Sequence, residues 1–229
     1  MVLAVALAAQ VLWNAAQPPP AARAEKLPAP PAAPVLRALS LGDPVALSKA
    51  LMLWLQAFDN QAGVSIPFAA LDYGRVEAWL DVALALDPSG QYPLLAAARL
   101  YGEVPDDRKM RAMADFVYRK FQDDPARRWP WLAHVAVLVR HRLGDMPLAL
   151  KYARAIADNS EGNAIPQWAR QMHIFLLEEA GELEAARLLI GGLLESGRIT
   201  DAHELRFFRQ RLTDLERRQG MVEPRAPNG

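Results

Sequence analysis

The sequence predicts an all-α fold, a right-handed solenoid of about four αα-hairpins closed by a C-terminal capping helix. Three observations point there. From Leu39 onward apolar residues recur at steps of three and four, the period of a helix with one buried face. One segment recurs at an offset of 37 residues. No run of alternating β-branched residues bounded by hairpin turns occurs, which argues against a sheet.

The recurring segment reads VRHRLGDMPLALKY at 139–152 and LLEEAGELEAARLL at 176–189. Gly144 and Gly181 align, each followed by an acidic residue, with Ala149 and Ala186 five places on. The same 37-residue offset relates Pro88 to Pro125, Leu94 to Trp131 and Trp168, and Ala112 to Ala149 and Ala186. Periods of 20–50 residues mark stacked units, none of which buries its apolar face alone. The unit is a helix pair whose first helix ends at a Gly-acidic turn and whose second carries a small Ala at the closest approach.

Each element follows in order. Residues 1–17 form a hydrophobic membrane-targeting segment, a signal anchor or signal peptide: positions 1–9 are wholly apolar, and Val11, Leu12 and Trp13 extend the run. It is shorter than the ~20 residues that span a bilayer, and no Lys or Arg precedes it. A start upstream of Met1 would supply both. Residues 18–38 are a Pro/Ala-rich linker, with seven prolines between 18 and 34 that favour an extended polyproline II spacer. Residues 39–219 are the helical repeat domain. Asp43-Pro44 is a helix start, and Leu47, Leu51, Trp54 and Phe58 make its apolar stripe. Val76, Trp79, Leu80 and Ala83 make the next, ending at LDP, and Met110, Met113, Val117 and Phe121 another, ending at DDP. The first pair is joined by a longer loop, NQAGVSIPFAALD. The capping helix runs over 200–218, with Leu205, Phe208, Leu212 and Leu215 inward and five Arg outward. Residues 220–229 are a disordered tail.

Composition narrows the chemistry. With no Cys, thiolate metal sites, Cys nucleophiles and disulfides are excluded. Lys+Arg and Asp+Glu are 26 each, so there is no global footprint for nucleic acid. His134 and His141 share a helix face two turns apart, too far to hold one metal alone, and Leu138 stands between them. His173 and His203 are isolated. No HExxH or Gly-x-Ser-x-Gly occurs, and GGLLESG lacks the strand and Lys of a phosphate loop. Glu178-Glu179 and Asp123-Asp124 are adjacent pairs, which point apart on a helix and cannot face one substrate. No cofactor or metal is expected, and the chain reads as non-catalytic. Trp129-Pro130-Trp131 has the look of a recognition element, although the 37-residue partners of Trp131 favour a packing role. Residues 126–143 carry Arg127, Arg128, Arg140 and Arg142 with no acid, either a solvated face or a basic binding face.

The LGD and AGE turns, the Ala after each, the helix-closing LDP and DDP, and the early aromatics together resemble the tetratricopeptide repeat family over about residues 43–199. The resemblance implies a protein-interaction scaffold in which the first helix of each pair lines a concave face. Carried over by counting back from the turn glycines, the lining residues are Trp131, His134, Leu138 and His141, then Trp168, Gln171, Phe175 and Glu178, with Arg142 alongside the first set. Steps of three and four put each set on one helical face whatever the family. An aromatic beside Arg and His suits an acidic or carboxylate-bearing peptide. The expected function is a membrane-associated adaptor, on a bacterial inner membrane facing the periplasm or free in the periplasm once the N-terminus is cleaved. A glycosidase-like envelope enzyme using one buried Glu, and a structural subunit of an envelope complex, are the alternatives.

Overall fold

A computed structural model describes residues 2–17, 24–61, 63–159, 164–197 and 199–222, with side chains to 218. The tail predicted at 220–229 and the start of the linker at 18–23 therefore lie largely outside the described residues. The chain is all-helical apart from one two-stranded hairpin among those residues. It divides into two compact units, 1–88 and 89–229, where the sequence suggested a single repeat domain from 39 to 219.

In the first unit α1 (Val2–Ala16) is exposed along its length. At 15 residues it extends about 22 Å, against ~30 Å of bilayer core. Among the described residues no single helix is long and apolar enough to cross a membrane. α2 (Ala33–Leu39) and α3 (Pro44–Ala57) follow, then a β1–β2 hairpin (Asn60–Gln61, Val64–Ser65), a 3-10 turn (Phe68–Ala70) and α4 (Tyr73–Leu86). Asp43 caps α3 by accepting from the Ala46 N–H at 2.9 Å, with Pro44 at the first helical position, as the motif predicts. The buried face of α3 is rotated by one residue from the predicted stripe. Ser48, Met52 and Leu55 are buried, while Leu47, Leu51 and Phe58 sit at the margin and Trp54 is exposed. The Ser48 hydroxyl makes this possible by donating to the Ala83 carbonyl of α4 at 2.8 Å. Trp54 still packs on Trp79, ring centres 4.8 Å apart.

The described part of the Pro-rich stretch is docked rather than a free spacer. Leu27 is 2% exposed and Leu36 is buried. The main chain of 25–28 is held by Gln61, Arg75 and Trp79, and Arg37 donates to the Ala85 carbonyl at 2.7 Å. Apolar burial and carbonyl acceptance outweigh the solvated extended state that the composition favours.

The second unit holds α5 (Tyr92–Leu95, continued by a π-helical turn, Ala96–Tyr101), α6 (Asp107–Asp123) and α7 (Pro125–Leu138, continued by a π turn, Val139–Leu143). α8 (Met146–Asp158), α9 (Gln167–Glu179), α10 (Leu183–Glu195) and α11 (Ala202–Val222) complete it. Met110, Met113, Val117 and Phe121 are all buried, as is Phe208 on the last helix. DDP both closes and opens: Asp124 ends α6 and its carboxylate accepts the Arg127 N–H of α7, with Pro125 at the first position. Gly144 closes α7 in the left-handed region at φ 63°, its N–H donating to the Val139 carbonyl. Asp145 then caps α8, accepting from the Leu148 N–H at 3.0 Å. Gly181 repeats the turn at φ 81°, but Glu182 makes no capping bond. Ala149 and Ala186 are fully buried.

Beyond the packing of chain neighbours, side chains of alternate helices meet. Between α6 and α8, Tyr152 donates to Asp115 at 2.8 Å, Tyr118 stacks on Tyr152, and Arg111 bonds Asp145 at 2.7 Å. Between α9 and α11, Ile174, Leu177, Phe208 and Leu215 share a core with Ala186 and Ile190 of α10.

The π turn of α5 folds the Ala97 and Ala98 carbonyls against Gly102, where a Cβ would lie 2.7 Å from one and 2.8 Å from the other. Gly102→Ala should lower unfolding free energy by about 1–3 kcal/mol, with Gly191→Ala, where nothing lies within 4 Å of an added Cβ, as the tolerated control. Urea denaturation of both variants checks it.

Candidate functional site

The residues expected on the binding face are spread over α7 and α9, and most are engaged within the chain. Trp131 is half-buried, and its indole N–H donates to Gln91 Oε1 at the start of α5, 2.7 Å away. His134 Nε2 lies 3.4 Å from Glu103. The 37-residue partners Leu94, Trp131 and Trp168 do not share one packing environment: Leu94 is fully buried and Trp168 is 58% exposed. The Trp168 ring meets Trp129 edge-on at 5.3 Å.

The second set is covered by the last helix. Gln171 is buried and donates to Glu204 at 2.7 Å. Phe175 packs on Phe207 and Phe208, centroids 6.2 and 6.3 Å away. Glu178, its side chain 4% exposed, accepts from Arg211: Nη2 lies 2.5 Å from Oε2 and Nε 3.1 Å from Oε1. That carboxylate raises the Arg211 pKa above its ordinary value. Gln171 and Glu178 thus fix α11 in place and are closed to a partner.

The basic stretch is largely neutralised. Arg127 pairs with Asp124. Arg128 is buried, donating to the Lys120 carbonyl at 2.6 Å and lying 3.4 Å from Asp123. Arg140 pairs with Glu179 of α9 and meets His141 at 2.7 Å. His141 and Arg142 are exposed, and Leu138 is half-buried.

What remains open is an aromatic row that sequence counting only partly found. Trp129 of α7 meets Trp168 of α9, and Phe175, two turns along α9, meets Phe207 of α11. Trp168 and Phe207 are the exposed rings, Phe207 at 46%. Val137 on α7 is also exposed. Phe207 was missed because Phe208, its neighbour, matches the inward stripe of the capping helix. The adjacency of two Phe on one helix is the signal, since both cannot face the core.

A groove of about 280 Å³ lies on another side of α9, lined by Gln167, Arg170, His173, Leu188, Leu189 and Gly192 among others. Burial holds the His173 imidazole below its ordinary pKa, partly offset by its 2.7 Å bond to the Arg170 carbonyl. Among the described residues no three His, Asp or Glu side chains converge in a metal-binding arrangement.

Comparison with known protein families, with characterised proteins and with solved structures finds no match to this chain.

Two outcomes follow. Arg211→Ala strands the Glu178 carboxylate and should cost about 2 kcal/mol, below the 3–5 kcal/mol of fully buried pairs because the guanidinium keeps partial solvent access; Arg211→Ala with Glu178→Leu should recover most of it in urea titrations. His173 is depressed in the folded state, so its contribution is complete above about pH 6.5 and is lost as pH falls through the folded value. Thermal melts from pH 7.5 to 5 should fall less for His173→Gln than for the parent.

Proposed function

We propose that the chain is a membrane-associated, non-catalytic adaptor whose αα-hairpin repeats, tetratricopeptide-like in layout, present a surface for a protein or peptide partner. The observation that carries the reading is the exposed aromatic row of Trp168 and Phe207 on alternate helices, backed by Trp129 and Phe175. Exposed aromatics are scarce on a surface with no partner and dominate binding where there is one.

The repeat layout draws support from three features of the second unit. The Gly144-Asp145 turn does what such a turn must, ending one helix in the left-handed region and capping the next. Ala149 and Ala186 are buried at equivalent places. Alternate helices meet, α6 with α8 and α7 with α9 and then α11, as stacked helix pairs require.

The partner segment is apolar or aromatic, with acidic residues to meet the exposed His141 and Arg142. Of the residues counted onto the face, Trp168, His141 and Arg142 are exposed and Leu138 is half-buried. Trp131 and His134 are engaged with Gln91 and Glu103, and Gln171 and Phe175 with α11. Against the glycosidase alternative stands Glu178, whose two oxygens face Arg211 rather than a cleft.

Membrane association rests on α1, 15 residues without a charge and exposed throughout. It would place the two units on the periplasmic side of a bacterial inner membrane, or in the periplasm after cleavage. A periplasm-dependent reporter fused after Gly229 should be active, and activity confined to a cytoplasm-dependent reporter would overturn the address.

For the face itself, full-length chain carrying Trp168→Ala and Phe207→Ala should recover cross-linked partners from the cell envelope at least about tenfold less well. His141→Ala with Arg142→Ala should weaken recovery less, and mainly at low salt. Circular dichroism confirms folding. A folded double-aromatic variant that retains every partner of the parent would place the site elsewhere.

A further inference from the structure

The first unit contains a main-chain-reading groove, and its occupant is the protein itself. Residues 24–30 are extended and lie along the hairpin and α4. The Gln61 side-chain amide makes a two-point contact with Glu25: it accepts the Glu25 N–H at 2.7 Å and donates to the Glu25 carbonyl at 3.0 Å. Arg75 donates to the Leu27 carbonyl. Trp79 donates its indole N–H to the Pro28 carbonyl at 2.8 Å. Only one side chain of the segment is enclosed, Leu27 at 2% exposure, while Glu25, Lys26 and Pro28 face solvent. A cavity of about 490 Å³ runs alongside, lined by Leu27, Ile66, Leu71 and Arg75 among others.

Each side chain that holds the segment is also fixed by a contact outside it. Asp72 caps α4 by accepting from the Gly74 and Arg75 N–H groups, and its second oxygen lies 3.6 Å from Arg75 Nε. This aims the guanidinium outward from the first turn of the helix. Gln61 is held by its bond to the Phe58 carbonyl at 3.3 Å, and Trp79 by its contact with Trp54. Donors that read carbonyls of an extended proline-containing strand, plus one apolar socket, are the elements of polyproline-type peptide recognition. Such a site does not distinguish a segment of its own chain from an identical one supplied from outside.

We propose that this groove is a peptide-binding site for an extended Leu-Pro segment, self-occupied by residues 25–28, and that its occupant in trans is the same segment of a second copy. The chain holds one Leu-Pro pair, Leu27-Pro28, so the second copy's segment carries the matching anchor. Residues 29–32, Ala-Pro-Pro-Ala, join it to α2 and are stiff enough to project it outward once released. Exchange of an identical element is a low-cost route to a dimer. In the closed state the tethered segment competes at millimolar effective concentration, which keeps exchange rare until it is released.

The test uses two full-length variants in detergent. Leu27→Asp expels its own segment and leaves the groove intact. Gln61→Ala with Trp79→Phe disables the groove and leaves the segment intact. A fluorescent nonapeptide of residues 24–32 should bind Leu27→Asp at least about tenfold more tightly than the parent, and should not bind the groove variant. Mixed in equal amounts, the two variants should form a mixed dimer in sedimentation, while each alone stays as the parent. Trypsin should cut after Lys26, a bond left unaltered in Gln61→Ala with Trp79→Phe, faster in that variant than in the parent. Leu27→Ser replaces Leu27→Asp if the latter loses helix signal. Peptide that fails to bind the emptied groove at 1 mM, on the order of the tethered concentration, overturns the proposal, as does binding unchanged by Gln61→Ala with Trp79→Phe. Peptide binding without a mixed dimer overturns the assignment of the second copy as occupant.

Discussion

Contact between helices two apart in the chain is the constraint on which the second unit rests. A helix pair joined by a tight turn buries one face of each helix and leaves another open. α9 shows how that debt is met: its remaining face is closed by α11 through Phe175 on Phe207 and Phe208, Gln171 on Glu204, and Glu178 on Arg211. Full burial of a side chain such as Phe208 contributes about 1.5–3 kcal/mol. The polar pairs add direction, since a carboxylate left without its cation at that depth is costly. α11 is therefore both lid and ruler, fixing which rings of α9 stay available.

The same economy decides what is left to a partner. α7 is rich in arginine, yet three of its four guanidiniums are matched by Asp123, Asp124 and Glu179. The charge that gives the sequence its basic appearance is consumed by folding. Aromatic rings have no such internal sink once the core is full, so Trp168 and Phe207 end at the surface. Recognition there would draw on apolar area, with Arg142 and His141 as trim.

The helices and their turns were legible in the sequence because their causes are local. Gly144 needs no neighbour to favour a left-handed φ, and Asp43 and Asp145 reach their donors within three residues. The face of α3 was read one residue off because its buried polar member, Ser48, finds an acceptor 35 residues away, which no count of apolar spacing detects. The proline-rich stretch was read as a spacer for the same reason: Arg75 and Trp79 lie 48 and 51 residues from the carbonyls they hold. Within the candidate face, Trp168 was found by counting, whereas the closure of Gln171 and Glu178 was hidden. Their partners sit 33 residues away, out of step with the 37-residue repeat, because the capping helix is not a copy of the unit it covers.

Asp124 serves as the last residue of one helix and the cap of the next, so the joint between α6 and α7 contains no loop at all. Length variation in a lineage needs slack, and this joint has none: an inserted residue would rotate α7 by about 100° and carry Trp129 away from Trp168. The connection between α3 and α4, with its small hairpin and 3-10 turn, is where such a chain can grow or shrink between descendants without turning its aromatic row out of register.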